Sequence, residues 1–256
     1  MPSLCCYSCY LNTGPCTAKK EPMTLKITGD ALGIIHVHAD TQAELCHAFV
    51  RMQEFYESPF PTIRAHHFTV EEFEAQYKGN YYADWHGFNI PGDVVRKFEA
   101  IFADLSESEK AILAAVKGLP RFYIIGTHEP APDSDDEPLA DVIAHERAHA
   151  RYYLDPSYRK AVNEALTILK ETHRSAVEKL VEWLAKRGYS SEVVDDEINA
   201  YLATTDQKWW AAHLDEATAI VFHQIGEPFR YLLQQRERTT SHGVEATLAK
   251  EAATRA

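Results

Sequence analysis

The sequence predicts an α+β fold that is mainly α, a small β-sheet followed by a helical half. Three observations predict it. Polar and apolar residues alternate at Thr24–Thr28 and again at Gly33–His38, the period of a half-buried strand. A short aromatic and β-branched run, Arg121–Gly126, has strand composition. From residue 139 to 235, by contrast, apolar residues recur at helical spacing almost without interruption. With 256 residues, 45% of them hydrophobic, the chain can bury one substantial core.

Residues 1–22 read as a disordered leader, followed by an N-terminal α/β part at 23–130, a helical part at 131–235 and a mobile tail at 236–256. The two central parts are expected to form one domain. Four of the five cysteines (5, 6, 9 and 16) crowd into the leader and the fifth is Cys46, an odd total that argues against a disulfide framework. Cys6-x-x-Cys9 lacks the second pair that a closed zinc site needs. Lys19 and Lys20 follow rather than precede the apolar leader residues, so no signal-peptide layout is read and a cytoplasmic location is expected. The net charge of −12 disfavours nucleic acid and anionic membranes as partners.

Thr24–His38 is expected to form a hairpin turning at Gly29-Asp30. Thr41 should then open a helix with Leu45, Phe49, Met52 and Tyr56 on its inner stripe. Residues 57–90 are rich in aromatics and broken by Pro and Gly, with one helix near 69–78. The Trp85–Asn89 segment reads as a loop that either packs or lines a pocket, with His86 as a candidate site residue. Two amphipathic helices follow at 92–104 and 107–117, the second opened by Ser106 or Ser108 and closed by Gly118-Leu119-Pro120. After the Arg121–Gly126 strand comes an acidic, Pro-rich loop. A helix at 138–154 starts at Pro138, which suits a first turn, and stops at Asp155-Pro156. Beyond it Val162 to Leu184 mark helical faces closed by Gly188. Ser190 or Ser191 should open a helix to about 204, and a longer one, 209–235, should kink at Gly226 and Pro228.

The 138–154 helix carries His145-Glu146-Arg147-Ala148-His149. Residues four apart stand one above the other on a helix, so His145 and His149 can offer two imidazoles to one ion while Glu146 leans over it. Zinc held by two His and a third ligand keeps a position for water and lowers its pKa to about 7. Glu146 is then placed to take the proton as general base, which makes the helical half the expected metal-binding half.

These residues resemble the zincin metallopeptidases. In the metzincin branch the motif runs on to a final ligand at the position of Asp155, but Tyr152 stands where that branch has the Gly its sharp turn requires. In the gluzincin branch a Glu on a later helix closes the site, and Asp196-Glu197-Ile198-Asn199-Ala200-Tyr201-Leu202 is similar to that pattern. The spacing of Val194, Glu197, Ile198 and Tyr201 also puts Glu197 inside an apolar stripe, where a carboxylate stays only if paired or bound to metal. A single straight helix over 157–187 would span roughly 45 Å at 1.5 Å per residue and carry Glu197 out of reach. Glu197 as third ligand therefore predicts a break around Glu171–Ser175, capped by Thr172 or Ser175. Without that break His213 or Glu216 becomes the better ligand. A ferritin-like site pairing Glu146-x-x-His149 with Glu44-x-x-His47 is the structural rival, and the strands argue against its helical bundle.

The resemblance implies a Zn²⁺-dependent hydrolase acting on a peptide or protein substrate, with His145, His149 and Glu197 as ligands and Glu146 as general base. It also implies that the Arg121–Gly126 strand is the sheet edge along which an extended substrate lies, with the acidic loop as rim. Tyr152, Tyr153, Tyr201, His213 and His223 are candidates for stabilising an oxyanion. The alternatives are a non-catalytic zinc-binding interaction or regulatory protein and a zinc hydrolase of a non-peptide substrate. The sequence does not indicate an oligomeric state.

Overall fold

The computed structural model describes residues 25–130, 138–187, 189 and 191–236. The leader, with Cys5, Cys6, Cys9 and Cys16, the acidic loop at 131–137 and the tail beyond 236 lie outside the described residues. What is described is mainly helical with one small sheet, the α+β class that the residue periodicities predict. Among the described residues no helix is long and apolar enough to cross a membrane.

The hairpin forms from β1 (Lys26–Gly29) and β2 (Ile34–Ala39), paired antiparallel. The Asp30 carboxylate accepts from Leu32 N and Ile34 N across the turn. Gly33 follows at φ +94°, where a Cβ would lie 2.8 Å from Arg121 O. Thr41 caps α1 (Gln42–Glu57) by accepting from Glu44 N. Next come α2 (Val70–Glu74), α3 (Tyr81–Asp84), β3 (Gly87–Pro91), α4 (Gly92–Ile101) and α5 (Glu107–Val116). Ser106, not Ser108, caps α5, in a reciprocal capping box with Glu109. The core strand β4 (Tyr123–His128) leads to α6 (Leu139–Leu154), which holds the His-Glu-x-x-His residues.

The helical half continues with α7 (Pro156–Thr172), α8 (Arg174–Lys186), α9 (Val194–Thr204), α10 (Gln207–His213) and α11 (Glu216–Ile225), and the chain is helical again at 227–236. The break demanded by Glu197 is present at His173 (φ −131°, ψ 39°). The expected caps are not: Thr172 Oγ1 donates back to Ile168 O, and His173 makes no side-chain cap. The helix expected over 209–235 breaks at Gly226, where a kink was expected, and also at Leu214-Asp215. Leu214 is extended, Asp215 caps α11 through Thr218 N, and Gly226 ends α11.

Sheet order is β1-β2-β4-β3, with β2 and β4 parallel and the outer pairs antiparallel. This corrects two expectations. The strand expected at the edge, β4, is central, flanked on both sides and buried at all six positions. The edge on that side is β3, in the segment expected to be a loop.

Alternation then sorts side chains to two faces. Ile35, Val37, Phe88, Ile90 and Ile124 join α1, α4 and α5 in one core. Ile34, Tyr123 and Ile125 meet Ala150 and Leu154 of α6 on the opposite face. Ala148 of the same helix enters a second core with Tyr158, Leu166, Leu180, Ile198, Trp210 and Phe222. Helix α6 is thus wedged between sheet and helices, with alanines on both sides that allow close approach. Glu44 and His47 sit on α1 across the sheet, where Glu44 serves the Thr41 cap and His47 packs on Tyr82. No di-iron arrangement with α6 follows.

One ion pair fastens the first core. Arg51, 7% exposed, donates from Nε to Glu109 Oε1 at 2.8 Å and from Nη2 to Glu109 Oε2, and also reaches Asp104. Glu109 is 2% exposed and also accepts from Ser106 N. Removing Glu109 leaves Arg51 only the half-exposed Asp104 and breaks the α5 capping box, so Glu109→Ala should lower unfolding free energy by about 3–5 kcal/mol. Urea denaturation should show a lower midpoint with an unchanged slope.

Candidate metal centre

On α6, His145 and His149 turn the same way, their Nε2 atoms 3.2 Å apart and their rings 4.9 Å centre to centre. Helix α9 arrives with Asp195, Asp196 and Glu197 in its first turn, where the positive end of the helix favours carboxylates. The small Ala200, fully buried one turn on, lets α9 pack close. Glu197 Oε1 lies 3.7 Å from His149 Nε2, and Oε2 lies 4.0 Å from His145 Nε2. Donor atoms of His145, His149 and Glu197 all fall within 4.8 Å of one another.

The far side of each imidazole is held. His149 Nδ1 lies 3.0 Å from Asp196 Oδ2. His145 Nδ1 lies 3.5 Å from Thr204 Oγ1, whose own proton goes to Ala200 O at 2.7 Å. That hydroxyl can therefore only accept from His145. Both anchors assign a proton to Nδ1 and direct Nε2 toward the cluster, the orientation a metal-ligating imidazole needs.

Electrostatically the cluster is frustrated without a cation. Burial, then the neighbouring His149, pushes the His145 imidazole well below its ordinary value. Burial opposes charge on His149 too, but Asp196 and Glu197 outweigh it and hold this imidazole up to about 10. Burial raises the Glu197 carboxyl to about 8 despite the opposing pull of His149. Glu197 Oε2 is buried with no hydrogen-bond partner, a state costly for a carboxylate oxygen. Two imidazole nitrogens and a carboxylate are a donor set suited to zinc, and a divalent cation would satisfy all three.

Glu146 reaches β3, while its charge still acts on His149 and Glu197. Its Oε2 accepts from Asn89 Nδ2 at 2.9 Å, and Asn89 Oδ1 accepts from the Tyr123 hydroxyl at 2.6 Å. A Cβ on Gly87 would lie 2.5 Å from Glu146 Oε1, so only glycine leaves room for the carboxylate there.

Of the aromatic candidates, Tyr201 stands edge-on to His145 at 4.7 Å, its hydroxyl 3.4 Å from that of Tyr189. Burial and the Glu197 charge hold the Tyr189 phenol protonated. The other candidates lead elsewhere. Tyr152 donates to Asn163 and Tyr153 to Asp93. His213 stacks on Trp209, His223 belongs to α11, and His86 pairs with His128. Glu216 is exposed in the first turn of α11, and Asp155 caps α7 by accepting from Ser157 N and Tyr158 N. The sequence reading does not identify Asn89, Asp196, Thr204 or Tyr189 as site residues. The alternation Phe88-Asn89-Ile90 was the available signal for Asn89, because it sets a polar residue opposite two core residues.

Comparison with known family models, with curated proteins and with solved structures returns no match for this chain. Its chemistry is therefore read from the site alone.

Among the residues considered for closing the cluster, Glu197→Ala should abolish tight zinc binding by the purified protein. Asp155→Ala should cost about 1 kcal/mol as a lost cap and leave zinc affinity unchanged. Titration with a competing chromophoric chelator, alongside thermal unfolding, measures both.

Proposed function

We propose that the chain is a zinc-dependent hydrolase of gluzincin type that cleaves peptide or amide bonds in a peptide or protein substrate. The observation that carries this reading is the convergence of His145, His149 and Glu197, with Glu146 on the same helix close enough for its charge to act on His149 and Glu197. The count of ligands supports catalysis over a purely structural role. A structural zinc site is closed by four protein ligands, whereas a catalytic one has three and an open position. Among the described residues the cluster holds three.

Zinc, when bound, supplies a Lewis acid that polarises a carbonyl and lowers the pKa of a water to about 7. The chain's own residues do the rest. Asp196 and Thr204 keep the two imidazoles in the ligating tautomer. Glu146 serves as general base, taking the proton of the attacking water and returning it to the leaving amine. Tyr201, packed on His145, and Tyr189, whose hydroxyl meets that of Tyr201, are the candidates for donating to a developing oxyanion.

Two outcomes test the reading. Glu146→Gln should keep zinc and lower turnover of a peptide library by about 10² to 10⁴. Zinc bound by the wild type without any chelator-sensitive cleavage would instead favour a binding module or a non-peptide substrate. Zinc affinity should also fall as pH falls. The carboxylates of Asp196 and Glu197 hold the metal-free His149 imidazole protonated, and ligation through Nε2 must displace that proton near neutral pH. Calorimetry in buffers of different ionisation enthalpy should record net proton release.

A further inference from the structure

We infer that Asn89, held in one orientation by Tyr123, is a positioning residue for Glu146, and that edge strand β3 exists in this place to supply it. The inference rests on the hydrolase reading above. A primary amide has a donor end and an acceptor end, and flipping it by half a turn exchanges them. Against a carboxylate only the donor end is useful. Here the choice is made by the Tyr123 hydroxyl, which donates to Asn89 Oδ1 at 2.6 Å and leaves Nδ2 to face Glu146 Oε2 at 2.9 Å. Tyr123 is itself 3% exposed on the central strand. Burial holds its phenol protonated, so it remains a donor.

The backbone serves the same end. Asn89 and Gly87 are two residues apart on β3 and share one face, opposite Phe88 and Ile90, which lie in the first core. Asn89 binds one oxygen of Glu146, and the missing side chain of Gly87 makes room for the other. Pairing of Asn89 with Ile125 and of Gly87 with Thr127 fixes β3 to β4, and β4 packs on α6. The carboxylate of the base is therefore oriented by the sheet, while the ligands beside it are set by the two helices.

Asn89→Ala should lower kcat of the zinc-loaded protein on a peptide library by about 10- to 100-fold, the effect expected of a misplaced base. KM should change by less than about twofold, with zinc stoichiometry unchanged. Asn89→Asp keeps the size but replaces the donor with an acceptor, and should fall at least as far as Ala. In a Glu146→Gln background Asn89→Ala should cost less than about twofold more, because the two act as one unit.

A readout independent of turnover is the Asn89 side-chain amide signal in ¹H–¹⁵N spectra of the metal-free protein, which should move in both Glu146→Gln and Tyr123→Phe. Full kcat in Asn89→Asp, losses that add to those of Glu146→Gln, or an amide signal indifferent to both partners would overturn the assignment while leaving the hydrolase reading intact. A wild-type protein that binds zinc and cleaves no peptide would overturn both.

Discussion

Two imidazoles and a carboxylate are buried together between α6 and α9, and the cost of that burial organises the molecule around it. Glu197 is 7% exposed with one oxygen unpartnered, and His149 is 2% exposed with carboxylates around it. A group of this kind is sustained only where its charges are balanced and its geometry is held from outside. The surroundings provide that hold. Asp196 and Thr204 fix the rings, Ala148 and Ala200 let the helices approach, and the break at His173 returns the chain so that α9 can lie against α6. Had α7 and α8 been one helix, Glu197 could not have reached His149.

The parts legible in sequence were those set by local chemistry. The His145, Glu146 and His149 spacing is a property of one helix, and Glu197 stood out because a carboxylate interrupted an apolar stripe. The need for a break followed from arithmetic on helix length and its place from the polar run Glu171–Ser175, while its expected caps did not form. At His173 the chain makes only backbone bonds, His173 N to Leu169 O and Val177 N to His173 O, and no side-chain cap marks the start of α8.

What could not be read was set by tertiary pairing. Strand β3 is five residues long, bounded by Gly87 and Pro91, and strand propensity is weak evidence over such a length. It exists because β4 offers a partner, with Phe88 and Ile90 buried in the first core. Without β3, β4 would be the edge that the zincin resemblance implied. The same gap hid Asn89, whose role depends on a strand pairing and on a helix 57 residues further along. The helix expected over 209–235 failed for a different reason: Asp215 caps a new helix where apolar spacing alone runs straight through.

The position of α6 explains why both halves are needed for one site. Its Ala148 side faces the helical core, and its Ala150 and Leu154 side faces the sheet. His145 and His149 look toward α9, while Glu146 looks toward β3. The geometry of the cluster and the orientation of Glu146 are thus fixed by different neighbours through one rigid element. A site on a helix locked from both sides is more precise than one carried on a loop. The alanines on α6 are part of that precision, because a larger side chain at Ala148 would displace α6 and shift the His145–His149 pair and Glu146 together.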